Sequence, residues 1–261
     1  MGNKLDTTGR RFDVKILVMG DACRDVYIYG KCVRFCPDAP VPVFIPQKTI
    51  ENGGMAKNVQ SNIQSLGIEC DIVCNNEDIE KKRYVDNKTN HMFLRIDSNE
   101  ERVERIETVD LKKLQEYEAI VISDYNKGFL RAEDIALICA NHQLVFVDTK
   151  KTLGEWCTNS SFIKINESEY NSSRSYLDNC NVTIEEKLIV TLSSDGCRYR
   201  GESYVVDKVN VKDSSGAGDT FLAGLVVRFV KTKNIQEAIR YANLCATQVV
   251  QRRGVNTVGK I

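Results

Sequence analysis

From residue 118 onward, short apolar runs alternate with helical patterns, and that alternation leaves the chain few architectures to choose from. The runs at 118–123, 143–148, 162–165 and 187–192 are strand-like, and 132–141, 217–231 and 235–251 carry helical spacing. Strands alternating with helices predict parallel pairing, with crossover helices on both faces of one sheet. Upstream, 13–20 is an apolar run ending in Gly-Asp, and Val59, Ile63 and Leu66 mark a helix closed by Gly67. Strand-like segments follow at 69–74, 81–86 and 91–96. All four prolines (Pro37, Pro40, Pro42 and Pro46) fall in the loosely alternating stretch 26–47. Proline suits edge strands, and such a ribbon cannot bury itself. We expect 26–47 and 81–96 to form a small β lid on a single α/β domain covering 1–261, either closing over a site or pairing with a second subunit. In open parallel sheets, ligands sit beyond the carboxyl ends of the strands. Asp21, Asp124, Asp148 and Asn166 all fall at or just after predicted strand ends.

Charge narrows the partners. The 261 residues hold 36 basic and 36 acidic side chains, so no net field draws the chain to nucleic acid or a membrane surface. No apolar run approaches the roughly 18 residues that a membrane span needs, and the N-terminus lacks the apolar core of a secretory signal. Ten cysteines stand beside only two histidines, and several cysteines lie in apolar surroundings. They read as small buried hydrophobes in a reducing compartment, which predicts a cytoplasmic protein without a structural metal.

The segment DSSGAGDT at 213–220 carries the chemistry. Gly216 and Gly218 free the backbone for turns that a Cβ forbids, and Ala217 keeps the path open for a bulky anion. The N–H groups at a helix start lack intrahelical partners, and the helix dipole there favours negative charge. Such a turn can hold the charge that develops on a moving phosphoryl group. Asp219 stands where a carboxylate can take a proton from an attacking hydroxyl. The plainer reading is a tight turn with Asp219 as a helix cap.

The stretch 213–220 resembles the D-T-x-G-A-G-D signature of the ribokinase-like (PfkB) sugar kinases, with Ser214 in the usual threonine place. Val18-Met19-Gly20-Asp21 with Asp25 is similar to that family's first strand and sugar-binding turn, and NGGMAKNVQSNIQSLG (52–67) to its glycine-rich helix entry. Asn166-Glu167-Ser168-Glu169 matches its N-x-x-E element, and VTLSSDG (190–196) its nucleotide-side strand and turn. The resemblance implies an ATP-dependent kinase with Asp219 as base and Gly216, Ala217 and Gly218 as the anion hole. It also implies Mg²⁺ organised through water by Asn166 and Glu169, which by spacing alone form a capping pair. Asp21, Asp25, Gly54 and Asn58 would face the sugar. Lys150, Asn166, Thr191, Ser193, Gly196 and Asn243 would face ATP. Relatives generally carry an extra helix and strand where this chain has only the short link 74–82.

Three further stretches, 30–43, Leu94-Arg95-Ile96-Asp97 and Ser123-Asp124-Tyr125-Asn126-Lys127-Gly128, resemble D-glycero-D-manno-heptose-7-phosphate kinases. That resemblance implies transfer to O1 of the sugar phosphate, giving the 1,7-bisphosphate. A phosphorylated substrate needs fixed cations, and Arg34, Lys57, Arg83, Arg95 and Lys127 are the candidates. Lys57 reads equally as a solvated surface lysine. Some relatives add a nucleotidyltransferase with an H-x-G-H signature, which this sequence lacks, so the kinase step alone is expected. The alternatives are a kinase for another sugar, sugar phosphate or nucleoside, and a non-catalytic protein that binds sugar or nucleotide.

Overall fold

The structure is a computed structural model that describes residues 14–180 and 184–259. The N-terminal segment read above for a secretory signal lies outside the described residues. An eight-stranded sheet runs through the molecule, and a separate four-stranded sheet stands against one end of it.

In chain order the elements begin with β1 (Lys15–Gly20), β2 (Ala22–Phe35), β3 (Pro42–Met55) and α1 (Ala56–Ser65). Next come β4 (Glu69–Cys74), β5 (Glu80–Asp86), β6 (Met92–Ser98), α2 (Leu111–Leu114), β7 (Ala119–Asp124) and α3 (Ala132–Asn141). These lead to β8 (Val145–Thr149), β9 (Phe162–Asn166), α4 (Glu167–Ser172), α5 (Arg174–Leu177) and β10 (Leu188–Thr191). The chain closes with β11 (Cys197–Tyr199), β12 (Glu202–Tyr204), α6 (Ala217–Thr232) and α7 (Ile235–Val250).

The large sheet has the order β12-β11-β10-β9-β8-β7-β1-β4. Its strands from β4 to β10 pair in parallel, while β11 and β12 extend it as an antiparallel hairpin. The two faces follow the period-two alternation of the strands. Ile16, Val18, Ala119, Val121 and Phe146 pack under α1, α6 and α7. Leu17, Met19, Ile120, Ile122, Val145 and Val147 pack under α3 on the other side. Helices on both faces leave these strands no wet side, which is why they read as near-continuous aliphatic runs.

The small sheet has the order β3-β2-β5-β6, and proline-bearing β3 is an edge strand, as expected. Its long hairpin is more extensive than the stretch 26–47 expected from alternation, because β2 begins straight after β1 and β3 runs directly into α1. The hairpin β11–β12 and the short helices α2, α4 and α5 are additions that the apolar periodicity did not announce.

The shortened link lies between β4 and β5. Asn75, buried just after β4, accepts a hydrogen bond from the Ala22 N–H (2.7 Å) and donates to the Ala22 and Glu77 carbonyls (3.2 and 3.0 Å). One side chain thereby ties the start of β2 to the shortcut that delivers β5 beside it. Removing it leaves buried backbone groups unpaired, at about 1–3 kcal/mol. Asn75→Ala is therefore expected to lower the unfolding free energy by that amount, read as a lower urea midpoint at unchanged slope. A midpoint equal to wild type would show that the link holds without it.

Candidate active site

The carboxyl ends of the parallel strands set the floor of the site. Gly20 stands beside Cys74 and Ser123, Ser123 beside Asp148, Asp124 beside Thr149, and Asn166 beside Thr191. Above that edge lie the first turn of α6, the first turn of α1 and the near ends of β2 and β5.

Asp219 sits in the first turn of α6, 4 % exposed. Its Oδ1 accepts from the Tyr125 hydroxyl (2.6 Å) and its Oδ2 from Asn58 Nδ2 (2.9 Å). Asn58 is itself oriented within α1, its Oδ1 accepting from Asn62 Nδ2 at 3.0 Å. Burial pushes the Asp219 carboxyl up to about 6, against the two hydrogen bonds, which favour the anion. Asp148 adds to the rise and Lys164 opposes it.

The turn before α6 has the conformation that glycine permits. Gly216 caps the helix with φ +78°, and a Cβ there would come within 2.7 Å of Asn58 Nδ2. A Cβ on Gly218 would meet Lys164 Nζ at 3.1 Å. Lys164 was not among the sequence candidates. It lies on β9 between Ile163 and Ile165, 4 % exposed, and donates to Asp148 Oδ2 (2.7 Å). Burial opposes its charge, but the Asp148 carboxylate overrides that and raises the ammonium's pKa. A lysine inside an apolar parallel strand was the available signal, since such a charge is buried only with a partner.

Asp21 and Asp25 occupy different roles. Asp21 is 1 % exposed, and its Oδ2 accepts the Tyr125 and Lys127 N–H groups (2.7 and 3.1 Å). Its Oδ1 accepts the Phe129 N–H at 3.3 Å. Both oxygens are engaged by the loop after β7, so Asp21 holds that loop and keeps acceptor capacity for a further donor. Burial raises its carboxyl against these hydrogen bonds. Asp25 instead forms a buried ion pair with Arg83, whose guanidinium stands 4.9 Å from the Tyr27 ring centroid. Gly54 makes room for it, because a Cβ there would collide with Asp25 Oδ2 and Cys23 Sγ.

The candidate cations divide. Arg83 is buried on β5, and beside it lies Lys81, buried too and not among the sequence candidates, with its Nζ 5.6 Å from the Tyr125 ring centroid. Lys127 pairs with Glu100, and Arg95 is chelated by Asp97 through two 2.7 Å bonds. Lys57 is exposed in the first turn of α1. Arg34 is not brought to the site. It lies nine residues beyond Asp25 on β2, past the stretch paired with β5, and at about 3.3 Å per residue that is roughly 30 Å.

On the nucleotide side, Lys150 pairs with Glu169 and stands 5.5 Å from the Tyr125 ring centroid. Asn166 and Glu169 form a complete capping box at α4, with bonds of 2.9 and 2.7 Å, and Asn166 Nδ2 also donates to Glu169 Oε1 (2.8 Å). No group of three or more potential metal ligands occurs among the described residues. A single carboxylate beside a lysine suits Mg²⁺ held through its own waters, not an all-protein cage. Thr191 donates to the Ile165 carbonyl (3.3 Å), and Ser193 is exposed in the turn after β10. Gly196 packs against the Tyr204 carbonyl, and Asn243 donates to that carbonyl at 2.8 Å. The latter two thus hold the β11–β12 hairpin together with α7, a structural task that the sequence did not announce.

Comparison with known proteins agrees with this arrangement. The profile of the pfkB family carbohydrate kinases matches residues 55–260. The bifunctional protein HldE of Helicobacter pylori is 29% identical over 295 aligned residues, spanning 92% of this chain and 63% of the relative. HldE of Nitratiruptor is 30% identical over 294, spanning 93% and 63%. The chain thus spans less than two thirds of the curated relatives it matches, and alignments longer than its own 261 residues mean that they carry segments it lacks. Phosphofructokinase-2 of Escherichia coli superposes with a TM-score of 0.71 at 13% identity, covering 94% of this chain and 96% of that one. Arabidopsis thaliana ribokinase, solved with ribose and ATP, gives 0.69 at 15%, covering 95% and 96%. The ribokinase-like fold, the glycine turn ahead of α6 and the match over most of its length make this chain a member of the pfkB family of ATP-dependent carbohydrate kinases.

Proposed function

We propose that this kinase transfers the γ-phosphoryl group of ATP to O1 of D-glycero-D-manno-heptose 7-phosphate, giving the 1,7-bisphosphate. The observation that carries the transfer is the buried Asp219 carboxylate in the first turn of α6, directly after a glycine-bracketed turn. Phosphoryl transfer asks the protein mainly for position and charge compensation. Asp219 takes the proton of the acceptor hydroxyl as that oxygen attacks phosphorus. Gly216, Ala217 and Gly218 would supply N–H groups to the charge developing on the transferred group, the Ala217 N–H turning from the Ser214 carbonyl to which it donates at 3.2 Å, with the Lys164 ammonium beside Gly218. Bound Mg²⁺, held by Glu169 and Asn166 through water, would neutralise phosphate charge. Lys150 would approach the same phosphates. The choice of a sugar phosphate is supported by the buried cations Lys81 and Arg83, by Lys57 at the mouth of α1, and by similarity to HldE. Asp25 and Asn58 offer acceptors and donors to sugar hydroxyls, and the small sheet serves as the lid. Ten cysteines, several of them buried thiols, suit a cytoplasmic home.

The lid is also the proposed dimer interface. Leu94 and Ile96 on β6 are 53 % and 41 % exposed, and Phe35 at the end of β2 is 70 % exposed. An apolar sheet face of this kind is stable in water when covered. Light scattering should give a dimer, and Leu94→Asp with Ile96→Asp should give a folded monomer. A wild-type monomer at tens of micromolar would remove the interface.

Asp219→Asn preserves shape and removes the base. Its turnover should fall by roughly 10²–10⁴ fold, while calorimetry finds ATP affinity unchanged. Because a protonated carboxyl cannot accept the proton, wild-type kcat/KM should decline as pH falls through about 6. A variant with near-normal turnover would take Asp219 out of the mechanism.

A further inference from the structure

Tyr125 holds the closest hydrogen bond to the candidate base, and nothing in the family signature assigns it a task. It is the first residue after β7, and its backbone N–H is fixed by Asp21 at 2.7 Å. Its hydroxyl donates to Asp219 Oδ1 at 2.6 Å. Its ring lies near two ammonium groups, with Lys81 Nζ at 5.6 Å and Lys150 Nζ at 5.5 Å from the centroid. Three elements thus converge on one carboxylate: α6 carries it, α1 supplies Asn58 to Oδ2, and the loop after β7 supplies Tyr125 to Oδ1. A carboxylate has about four acceptor positions, so two donors orient it and still leave room for a third.

We propose that Tyr125 is a positioning residue for phosphoryl transfer, its hydroxyl holding Asp219 so that the carboxylate meets the acceptor hydroxyl as an oriented anion. The inference rests on the reading of Asp219 as the base. In the transfer the acceptor O–H proton passes to Asp219, and Tyr125 keeps its own. The phenol is well suited to that, because burial and the neighbouring Asp219 charge raise its pKa far above the ordinary range. Its donated bond favours the anionic carboxylate and so works against the burial that raises Asp219. The other charged or titratable groups around Asp219 are Asp148 on β8, Lys164 on β9 and Cys23 on β2, and burial lifts the Cys23 thiol to about 12. With the thiol protonated and Lys164 paired to Asp148, the direct donors to Asp219 are Asn58 and Tyr125, and Tyr125 makes the shorter bond.

Tyr125→Phe isolates the effect, since phenylalanine keeps a ring for the two lysines and removes only the hydroxyl. Titration of the Asp219 carboxyl by ¹³C NMR, identified by its absence in Asp219→Asn, should show the midpoint moving up by about one pH unit or more. With D-glycero-D-manno-heptose 7-phosphate as acceptor, the acidic limb of kcat should move up equally, and the activity lost near neutrality should return at higher pH. A ring-fluorinated tyrosine at position 125, a stronger donor, should move both the other way, and it serves if the phenylalanine variant does not fold. Unmoved midpoints in a folded variant would overturn the role of Tyr125, even with reduced turnover. If Asp219→Asn instead keeps wild-type turnover, the base assignment falls first and the positioning role with it.

Discussion

Three backbone N–H groups, from Tyr125, Lys127 and Phe129, converge on the buried carboxylate of Asp21. Hydrogen bonds to a charged acceptor contribute roughly 1.5–3 kcal/mol each, enough together to offset much of the cost of burying the charge. The bond to Tyr125 N–H is the one with reach. It settles the ring beside Lys81 and Lys150 and brings the hydroxyl to Asp219. A carboxylate at the end of β1 thereby governs another on α6 without touching it. The sheet supplies the rigidity: β1 and β7 are parallel neighbours, so Asp21 and the loop after β7 emerge at the same edge.

The same edge is crowded with buried and half-buried ion pairs. Lys164 pairs with Asp148, Arg83 with Asp25, and Lys151 with Asp124. Such pairs contribute little net stability, because desolvation consumes most of the attraction. Their effect is to fix the cations along that edge. Asp219 has no cation paired with it among the described residues; burial pushes its carboxyl up to about 6, and its two neutral donors oppose that rise. A base with proton affinity near the working pH can accept a proton during transfer and release it afterwards. Gly216 keeps that clamp possible by leaving space for the Asn58 amide.

Much of the fold was legible because its strands are buried on both faces and its helices repeat at their own period. The helix at 132–141 and the starts of α6 and α7 lie where the apolar spacing puts them. The glycine turn and Asp219 were equally visible, since few other tasks require that order of residues. What remained hidden was the use made of each polar atom. Asp21 reads as a sugar ligand, and the sequence gives no sign that its oxygens also take N–H groups 104 to 108 residues away. Arg34 reads as a phosphate ligand until strand length carries it along β2 away from the site. Asn243 and Gly196 read as nucleotide contacts, yet both serve the β11–β12 hairpin, which periodicity did not reveal because each strand is only three residues long. Lys164 and Tyr125 went unassigned because their importance lies in partners distant along the chain.

The most direct test is ADP release with Mg²⁺-ATP across a panel of acceptors. The panel holds D-glycero-D-manno-heptose 7-phosphate, sedoheptulose 7-phosphate, fructose 6-phosphate, ribose and a nucleoside. Turnover with the heptose phosphate should stand well above the rest, with phosphate appearing on O1. Preference for an unphosphorylated sugar would contradict the assignment of Lys57, Lys81 and Arg83 to a substrate phosphate. Silence across the panel, with ATP still bound, would contradict the catalytic reading of Asp219.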